Sequence, residues 1–393
     1  MGSRRPLRCL FLKRRALQYY DELARGLEEN GIQALGLFND NREDLDRIRR
    51  AVERFRPGVL LTIPSLSLPI SDLSASLDIP YIHWEVDKLL DEGVLAHAFS
   101  PHLHLFTPYL GDVPLFRNAG IRAHYGLNVC NIDPTPDHAA IPLRHEVTFV
   151  GSVEAGRNNP YRELLALNDR QAAGWPEPLP RLWEVVKGRL EDMVDILVQG
   201  SLEFQNWLPQ LLAEEFRDNP GLYRPLGLTP ADLTVPLAKE TAHRQRAHFL
   251  RVVPCLDAYG PEDWQRVLPH WPNVRYHRPV EQYGESGRVF AASRINLSLS
   301  RIYARDGLSD RIFNILFAGG FLLADRQPPL VELFTDGEEL ATYASPGELA
   351  EKSAWYRAHE MERQRIARRG QERVRREHTF GRRLAQMLDL VFS

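Results

Sequence analysis

The 393-residue chain alternates short apolar runs with amphipathic stretches, and this alternation restricts its fold more than any other feature. Short strands separated by helices of about 10–15 residues are typical of a parallel sheet covered by helices. The first six predicted strands are Leu7–Leu12, Ile32–Phe38, Val59–Ile63, Pro80–Trp84, Leu103–Pro108 and Arg122–Asn128. Two amphipathic helices, Ala16–Glu29 and Arg42–Phe55, separate the first three strands. We therefore expect an α/β domain over residues 1–140, ending in a proline-rich linker near Pro134–Pro142.

The same alternation begins again after the linker and predicts a second α/β domain over residues 141–380. Its predicted strands are His145–Val150, Val252–Tyr259, Val274–His277, Ile295–Ser300, Phe321–Ala324 and Leu340–Tyr343. Residues 160–250 show only helical periodicity, and about 90 residues are too many for a simple loop. We expect a helical insertion that borders the cleft or forms a protein contact. With a C-terminal helix at residues 381–393, the chain is predicted to contain two Rossmann-like domains.

The composition excludes several classes of protein. Lys plus Arg number 49 and Asp plus Glu number 52, so the net charge of −3 gives no overall field for binding a polyanion. The cysteines Cys9, Cys130 and Cys255 are isolated in sequence, which excludes a disulfide framework and a cysteine-rich zinc module. The apolar run Cys9–Leu12 is too short for a signal-peptide core or a membrane span. We therefore expect a cytoplasmic protein in a reducing compartment.

The segment at residues 294–334 carries the most informative pattern in the chain. A predicted strand leads into a loop that contains Gly307, and Ser309 or Asp310 can cap the helix that follows. Free N–H groups at the start of a helix, together with the helix dipole, bind anions. The N–H groups of Gly307, Leu308 and Ser309 are therefore predicted to form an anion site above the carboxyl edge of the second sheet, suited to a pyrophosphate.

The run RDGLSDRIFNILFAGGFLLADRQPPLVELF, at Arg305–Phe334, resembles the C-terminal domain of the CgeB-like branch of group 1 glycosyltransferases. Further matching pieces are Phe149–Ser152, Ala258–Gly260 and Glu377–Phe380. The similarity is specific across roughly Val147–Gly151 and Pro254–Phe380, and is one of architecture over the N-terminal half. The resemblance implies a GT-B fold, in which two Rossmann-like domains face each other across a cleft.

The resemblance also implies a function. Such an enzyme moves a sugar from a nucleoside diphosphate sugar, bound mostly by the second domain, to a hydroxyl acceptor bound mostly by the first. The acceptor would be a glycan, a cell-surface molecule or a protein. No cofactor and no metal ion are expected beside the nucleoside diphosphate sugar, because similar enzymes use side chains and helix dipoles where other glycosyltransferases use a metal. Retention of the anomeric configuration is implied in the same way.

Residue roles carry over from the family onto matching positions. Group 1 enzymes have two acidic residues separated by seven others, and Asp306 and Asn314 occupy these positions here. Asp306 is predicted to lie near the sugar, whereas Asn314 replaces the carboxylate that would accept hydrogen bonds from the ribose. Arg301, Arg305 and Arg311 surround the same loop and would offset charge on the diphosphate leaving group. Arg311 is favoured because it lies in the matching RIF segment, while one or two of these arginines would instead pair with nearby aspartates.

Two turns in the second domain complete the predicted donor site. Gly151 and Ser152 close its first strand, where a glycine lets the backbone approach a ligand. Tyr259 and Gly260, together with the segment Tyr276–Tyr283, lie where similar proteins hold the base by stacking and by backbone contacts. Without the family likeness, the aromatic residue would be assigned to the core and the glycine to a plain turn.

The first domain offers His83, Glu85 and Asp87 at the end of a predicted strand, where side chains of a parallel sheet face the ligand crevice. A histidine is partly charged near neutral pH and a carboxylate accepts a hydroxyl proton. We therefore select His83 and Asp87 for acceptor contact or acid–base chemistry, although a structural role fits His83 equally well. His102 and His104 share one face of a strand, but no third ligand accompanies them, so no metal site is predicted there.

Two alternatives to a transferase stay open. One is a non-catalytic GT-B relative that binds a nucleotide or glycan, and Asn314 at an acidic position supports it. The other is a sugar-nucleotide epimerase, which requires paired carboxylates and histidines in the cleft.

The segment Met361–Arg383 contains nine arginines and three glutamates, which indicates solvated helix faces rather than a nucleic-acid site. Peripheral contact with an anionic membrane has no amphipathic stretch to support it.

Overall fold

The computed structural model describes residues 6–14, 19–38, 45–64, 66–88, 95–155, 159–199 and 207–393. Within these ranges the chain forms two six-stranded parallel sheets with helices between the strands, which confirms the predicted α/β architecture. Residues 16–18 and 42–44 of two predicted helices, and residues 200–206 of the predicted insertion, lie outside the described ranges.

The first sheet has the strand order β2-β1-β3-β4-β5-β6. Its strands are β1 Arg8–Lys13, β2 Gln33–Phe38, β3 Val59–Thr62, β4 Tyr81–Trp84, β5 Leu103–Thr107 and β6 Arg122–Tyr125. They agree with the predicted runs, except that β6 ends at Tyr125 rather than at Asn128. The central strands β3 and β4 are buried along their whole length, as expected for a parallel sheet covered on both faces.

Within the described residues, four α-helices connect the strands of the first sheet. They are α1 Tyr20–Glu29, α2 Leu45–Phe55, α3 Leu68–Leu77 and α4 Asp112–Asn118. Helix α3 begins where the Ser67 hydroxyl accepts a hydrogen bond from the Ile70 N–H at 3.1 Å. It ends at Asp78, whose backbone has a φ of 54° in the left-handed region.

The second sheet has the strand order β12-β11-β10-β7-β8-β9. Its strands are β7 His145–Val150, β8 Leu256–Tyr259, β9 Val274–His277, β10 Ser293–Ser298, β11 Leu322–Asp325 and β12 Ala341–Tyr343. The chain order reverses between β7 and β10 in this sheet, and between β1 and β3 in the first sheet. Ligands of open α/β sheets bind beyond the carboxyl ends of the strands at such reversals, so these two places define where to look for a site.

The start of β8 differs from the sequence-based prediction by four residues, because a turn separates this strand from the helix that ends at Leu250. The turn that follows is held by the side-chain amide of Asn273. This amide donates hydrogen bonds to the carbonyls of Leu250 at 3.2 Å and Val253 at 2.7 Å. Residues 252–255 are therefore part of a turn rather than of the strand.

The predicted insertion between β7 and β8 is helical wherever it is described. Its helices are α5 Pro160–Ala172, α6 Leu179–Gln199, α7 Trp207–Asp218, α8 Pro220–Tyr223 and α9 Pro230–Leu250. They enclose a core of their own, centred on Trp183, Tyr161 and Tyr223. Ile302 and Tyr303, from the loop after β10, pack against this core. The insertion therefore lies against a loop at the carboxyl end of the second sheet.

The remaining helices are α10 Ser286–Ala291, α11 Asp310–Phe317, α12 Pro328–Leu333, α13 Pro346–Ala358, α14 Glu360–Glu377 and α15 Phe380–Phe392. Helix α15 follows the second sheet in the chain but packs chiefly against α1 of the first domain. Phe380 stacks on Tyr19 with ring centroids 5.8 Å apart and meets Trp84 edge-on at 5.7 Å. The amide of Asn30 donates a hydrogen bond to the Gly381 carbonyl at 2.8 Å. The C-terminal helix is thus part of the hydrophobic core that covers the first sheet.

No helix in the described ranges is both long and apolar enough to cross a membrane.

Candidate functional site

A cavity of about 340 Å³ lies between the carboxyl ends of the two sheets. The loops after β3, β4, β5 and β6 line it from one side, and the loops after β9 and β10 with the start of α11 line it from the other. Its volume is within the range of small-molecule sites. Because it faces the ends of β3 and β10, it lies where the topology of both sheets places a ligand.

Arg311, in the first turn of α11, gives the second-domain side of this cavity its positive charge. Its guanidinium lies over the ring of Phe149, 5.9 Å from the ring centroid. It makes no hydrogen bond or ion pair with any residue that the structure describes. Burial lowers the pKa of Arg311, Asp310 opposes this shift, and Arg301 lowers the pKa further. A buried cation without a protein counter-ion is suited to bind an anion.

Arg301 is the second cation on the cavity wall. Its Nε donates a hydrogen bond to Oε1 of Glu154 at 2.8 Å. Glu154 also lies 3.3 Å from Arg246, and it follows Gly151 in the loop after β7. This loop therefore holds Arg301 in place, while Arg311 remains free to meet a ligand.

The first-domain side contributes Asp87 and two aromatic residues, Trp84 and Tyr19. Burial raises the pKa of Asp87, and the neighbouring carboxylate of Glu85 raises it further. The indole Nε1 of Trp84 is buried and has no hydrogen-bond partner among the described residues. A buried donor without a partner is costly, so Trp84 is a candidate for a hydrogen bond to a bound ligand.

A hydrogen-bond network crosses the floor of the cavity between the two domains. The side-chain amide of Asn131 donates to Oδ2 of Asp310 at 3.0 Å, and Gln282 donates to the same carboxylate. The backbone N–H of Asn131 donates to Oδ1 of Asn314 at 2.8 Å, and Nδ2 of Asn314 donates to Oδ1 of Asn131 at 2.7 Å. Asn314, only 2% exposed, is thus bound to Asn131 in the loop after β6 and is not among the cavity-lining residues.

Asp306 was predicted to face the sugar, but the structure places its carboxylate in a buried contact between the domains. Oδ2 of Asp306 lies 2.7 Å from Nζ of Lys88 and accepts a hydrogen bond from the Gly111 N–H at 2.8 Å. Lys88 also lies 2.7 Å from Oδ1 of Asp112. The reason is that Lys88 and Gly111, far away in sequence, reach over the loop after β10 and cover Asp306.

Gly307 and Leu308 share this position away from the cavity. Gly307 forms an isolated antiparallel bridge with Tyr109. A Cβ atom at Gly307 would lie 2.3 Å from Tyr109 Cδ1 and 2.4 Å from the Pro108 carbonyl oxygen, so the close approach requires a glycine. Leu308 is fully buried and its carbonyl accepts a hydrogen bond from Asn128 at 3.1 Å. Of the three residues that were predicted to form the anion site, only Ser309 lines the cavity.

Arg305 and His83 are also placed away from the cavity. The Arg305 guanidinium forms a buried ion pair with Asp325 at 2.8 Å, which joins the loop after β10 to β11. His83 is fully buried on β4, with Nδ1 2.9 Å from the Thr62 hydroxyl and Nε2 3.2 Å from Glu85. The partners of Arg305 and His83 indicate structural roles for both side chains. Asp87, the other residue selected in the first domain, lines the cavity.

Gly151 and Ser152 lie beside the Arg311 guanidinium. A Cβ atom at Gly151 would come within 3.4 Å of Nη2 of Arg311, so the absence of a side chain leaves space around this cation. The Ser152 hydroxyl donates a hydrogen bond to Asp263 at 2.5 Å, and its carbonyl accepts one from Arg246 at 2.5 Å. These bonds shape the loop after β7.

Tyr259 and Gly260 have structural partners in the second sheet. The Tyr259 ring stacks on His277 at 4.3 Å, and its hydroxyl lies 3.1 Å from Nε2 of His145. A Cβ atom at Gly260 would lie 2.2 Å from the Gly151 carbonyl oxygen, so this glycine permits close packing of two loops. Neither residue lines the cavity.

Sequence reasoning missed several cavity residues, namely Tyr19, Trp84, Tyr109, Asn128 and Asn131. Trp84 lies in the strand-end segment that was singled out for His83 and Asp87, so its position was a usable signal. Asn131 lies in a loop without a local pattern, and only the meeting of the two domains brings it to the cavity. Its partner there, Gln282, lies in the segment Tyr276–Tyr283 that the resemblance placed near the base.

Comparison with known proteins adds to this geometry. Residues 241–389 match a family model described as glycosyl transferase-like. No curated protein matches the chain in sequence.

Three solved structures are similar over almost the whole chain. A glycosyltransferase from Rickettsia africae is 9% identical, with 99% of this chain and 98% of that one covered and a TM-score of 0.50. Anabaena HepE, solved in complex with UDP-glucose, is 11% identical, with 98% and 99% covered and a TM-score of 0.50. The sucrose-phosphate synthase of Thermosynechococcus elongatus is 9% identical, with 98% of each chain covered and a TM-score of 0.50.

At these identities the likeness concerns the fold, and the assignment to the CgeB-like branch stays a prediction. The chain has the two-sheet GT-B fold of glycosyltransferases, and its residues 241–389 resemble a glycosyl transferase-like family.

Proposed function

We propose that this protein is a glycosyltransferase that moves a sugar from a nucleoside diphosphate sugar to a hydroxyl acceptor. The observation that carries the proposal is the buried guanidinium of Arg311 on the wall of a cavity between two Rossmann-like sheets, where no described residue forms a hydrogen bond or ion pair with it. Solved structures of similar fold include one in complex with UDP-glucose, which supports a nucleoside diphosphate sugar as the donor.

The diphosphate of the donor fits the second-domain wall. Arg311 supplies a positive charge, and the N-terminal turn of α11 adds the positive end of its dipole. Gly151 leaves room for phosphate oxygens beside the guanidinium. When the bond between the anomeric carbon and the diphosphate oxygen breaks, negative charge grows on the diphosphate, and Arg311 offsets it. Because this charge comes from a side chain, we propose that transfer needs no divalent metal.

The acceptor lies on the first-domain wall in this proposal. Asp87 accepts a hydrogen bond from the attacking hydroxyl and orients it, and its raised pKa makes it a better proton acceptor than an ordinary aspartate. Trp84 Nε1 donates to an acceptor oxygen. Retention of configuration is proposed from the family resemblance.

A binding protein without transfer activity is the second candidate, and two observations favour it. Asp306 and Asn314, the positions that correspond to the family's acidic pair, are both engaged in contacts between the domains. An epimerase has less support, since no histidine is among the described residues that line the cavity.

The first experiment measures binding of UDP, GDP and ADP by calorimetry to the wild-type protein and to Arg311→Ala. A charge-assisted contact to phosphate is worth about 1.5–3 kcal/mol, so affinity should fall roughly 10–140-fold. The matched control is Arg382→Ala, an exposed arginine that does not line the cavity, and it should leave affinity unchanged. Equal affinities for wild type and Arg311→Ala would place the donor elsewhere.

A second experiment separates the three functions with a panel of nucleoside diphosphate sugars. A transferase slowly releases nucleoside diphosphate, and a hydroxyl acceptor accelerates the release. An epimerase returns an isomerised donor, and a binding protein does neither. Asp87→Asn should lower acceptor-dependent turnover while donor affinity stays within a few-fold, and turnover insensitive to EDTA would support transfer without a metal.

A further inference from the structure

Two histidines and an aspartate come together on the second sheet, outside the cavity. They are His145 at the start of β7, Asp257 on β8 and His277 at the end of β9. Nδ1 of His145 lies 3.2 Å from Oδ2 of Asp257, and Nε2 of His277 lies 2.6 Å from Oδ1 of the same carboxylate. One ligand atom from each residue lies within 4.8 Å of the others. None of the three lines the cavity.

The hydrogen bonds around Asp257 do not satisfy both imidazoles. His277 forms a hydrogen bond with the carboxylate, but the buried Nδ1 of His145 has no hydrogen-bond partner among the described residues. It faces the Asp257 carboxylate at short range without the alignment of a hydrogen bond. In the neutral tautomer that carries its proton on Nε2, the Nδ1 lone pair of His145 points at the carboxylate and is available for a cation between them.

Tyr259 contacts both imidazole rings. Its hydroxyl lies 3.1 Å from Nε2 of His145, the nitrogen opposite the unpaired one. Its ring stacks on the His277 ring at 4.3 Å with an interplanar angle of 10°. Histidines that bind metals usually donate their other N–H to a neighbouring acceptor, which fixes the tautomer and the ring. Tyr259 can fill this role for His145.

We propose that His145, Asp257 and His277 form a binding site for a first-row divalent cation, and specifically for Zn²⁺. Nδ1 of His145, one oxygen of Asp257 and Nε2 of His277 supply two nitrogens and one oxygen, a ligand set that zinc accepts, and water completes the tetrahedron. Bonds of about 2.0–2.2 Å place ligand atoms roughly 3.3–3.6 Å apart. The 3.2 Å between Nδ1 of His145 and Oδ2 of Asp257 is close to this range. Nε2 of His277 lies 2.6 Å from the other oxygen, Oδ1, so its ring must shift to leave room for the cation.

The bound cation would link three neighbouring strands, including the edge strand β9. It would therefore stabilise the folded chain whenever it is bound. Arg275 opposes binding, because its guanidinium lies 3.7 Å from Oδ1 of Asp257 and competes for the carboxylate. This proposal does not depend on the sugar-transfer reaction.

The chain offers a matched control in a second pair of histidines. Nδ1 of His104 and Nε2 of His124 lie 3.3 Å apart, and their rings stack with an interplanar angle of 7°. No carboxylate joins this pair to form a three-ligand group among the described residues. Zinc should therefore select the cluster of His145, Asp257 and His277 and leave the other pair unoccupied.

The test is equilibrium dialysis of the full-length protein, stripped with EDTA, against ZnCl₂, with bound zinc measured by elemental analysis. Wild type and His104→Gln should bind about one zinc ion per chain. His277→Gln and Asp257→Asn should lose this stoichiometric binding. Equal zinc binding by wild type and both ligand variants would mean adventitious binding elsewhere, and no zinc binding by wild type would equally overturn the proposal.

A second set of variants keeps all three ligands and tests the site even if the ligand variants fold poorly. Tyr259→Phe retains all three ligands and should weaken zinc affinity by about 10–100-fold through the loss of the outer partner of His145. Arg275→Gln, at a side chain that is 74% exposed, should tighten it. Zinc should also raise the unfolding temperature of wild type but not of His277→Gln. Unchanged zinc affinity in both the Tyr259 and Arg275 variants would contradict the assigned site.

Discussion

Nζ of Lys88 in the first domain lies 2.7 Å from Oδ2 of Asp306 in the second, and 2.7 Å from Oδ1 of Asp112. All three side chains are at most 8% exposed, so this contact is a buried one between a single cation and two carboxylates. Removing one partner from a buried ion pair is far more costly than removing one at the surface.

Lys88→Met should destabilise the protein by about 3–5 kcal/mol, because the buried carboxylates of Asp112 and Asp306 would lose the positive charge of Lys88. Urea unfolding at neutral pH measures the change. Lys187→Met is the matched control, since Lys187 also contacts two carboxylates, Asp169 at 2.9 Å and Glu184 at 2.7 Å, but at the surface. That change should cost about 1 kcal/mol or less. Similar losses in both variants would show that burial does not decide the strength of the Lys88 contact.

Gly307 gives a second prediction from the same contact between domains. Gly307→Ala should destabilise the protein by about 1–3 kcal/mol, because the new methyl group overlaps Tyr109 and the Pro108 carbonyl. Gly188→Ala, in the interior of α6 with no neighbour within 4 Å, should instead stabilise it by about 0.5–1 kcal/mol. Thermal unfolding of both variants tests the pair, and a neutral Gly307→Ala would mean that the loop moves away at no cost.

The strands were predictable from sequence because each is a short apolar run and this pattern is local. All six strands of each sheet occur at the predicted runs, and the largest error is at β8, where the side chain of Asn273 holds the turn before it. Turn geometry of this kind depends on a residue from further along the chain, so a local pattern does not reveal it.

The candidate site was predictable only in part. Arg311, Ser309 and Asp87 line the cavity. They could be selected in advance because the strand ends and helix starts that face a ligand in α/β folds can be located from sequence. Asp306 was assigned to the sugar because its motif was interpreted within one domain. Its cation, Lys88, is 218 residues away and belongs to the other domain, so the sequence contained no signal for this contact.

Asn314 is engaged with Asn131, and this predicts the effect of restoring a carboxylate there. Asn314→Asp keeps the shape but removes the donor to Oδ1 of Asn131 at 2.7 Å and buries a charge near Asp310. It should destabilise the protein by about 1–3 kcal/mol and should not tighten nucleotide binding. A double-mutant cycle with Asn131→Ala measures the coupling, which should be well above zero. Tighter nucleotide binding by Asn314→Asp would instead show that this position meets the ribose.

The buried histidine His104 predicts how stability changes with pH. Burial lowers the pKa of His104 to about 4, and His124 and Arg122 contribute to the shift. Since the unfolded chain has a pKa near 6.5, it binds more protons than the folded chain between pH 6.5 and about 4. The contribution of His104 to stability is therefore complete above pH 6.5 and is lost as the pH falls toward 4.

The variant His104→Gln should consequently lose less stability than wild type between pH 7 and pH 5. Urea unfolding midpoints at the two pH values measure this difference. His97→Gln changes an exposed histidine and should decline in parallel with wild type. If the stability of His104→Gln also declined in parallel with that of wild type, another group would cause the loss of stability in acid. His378 would be the next residue to replace, because burial lowers its pKa to about 4 as well.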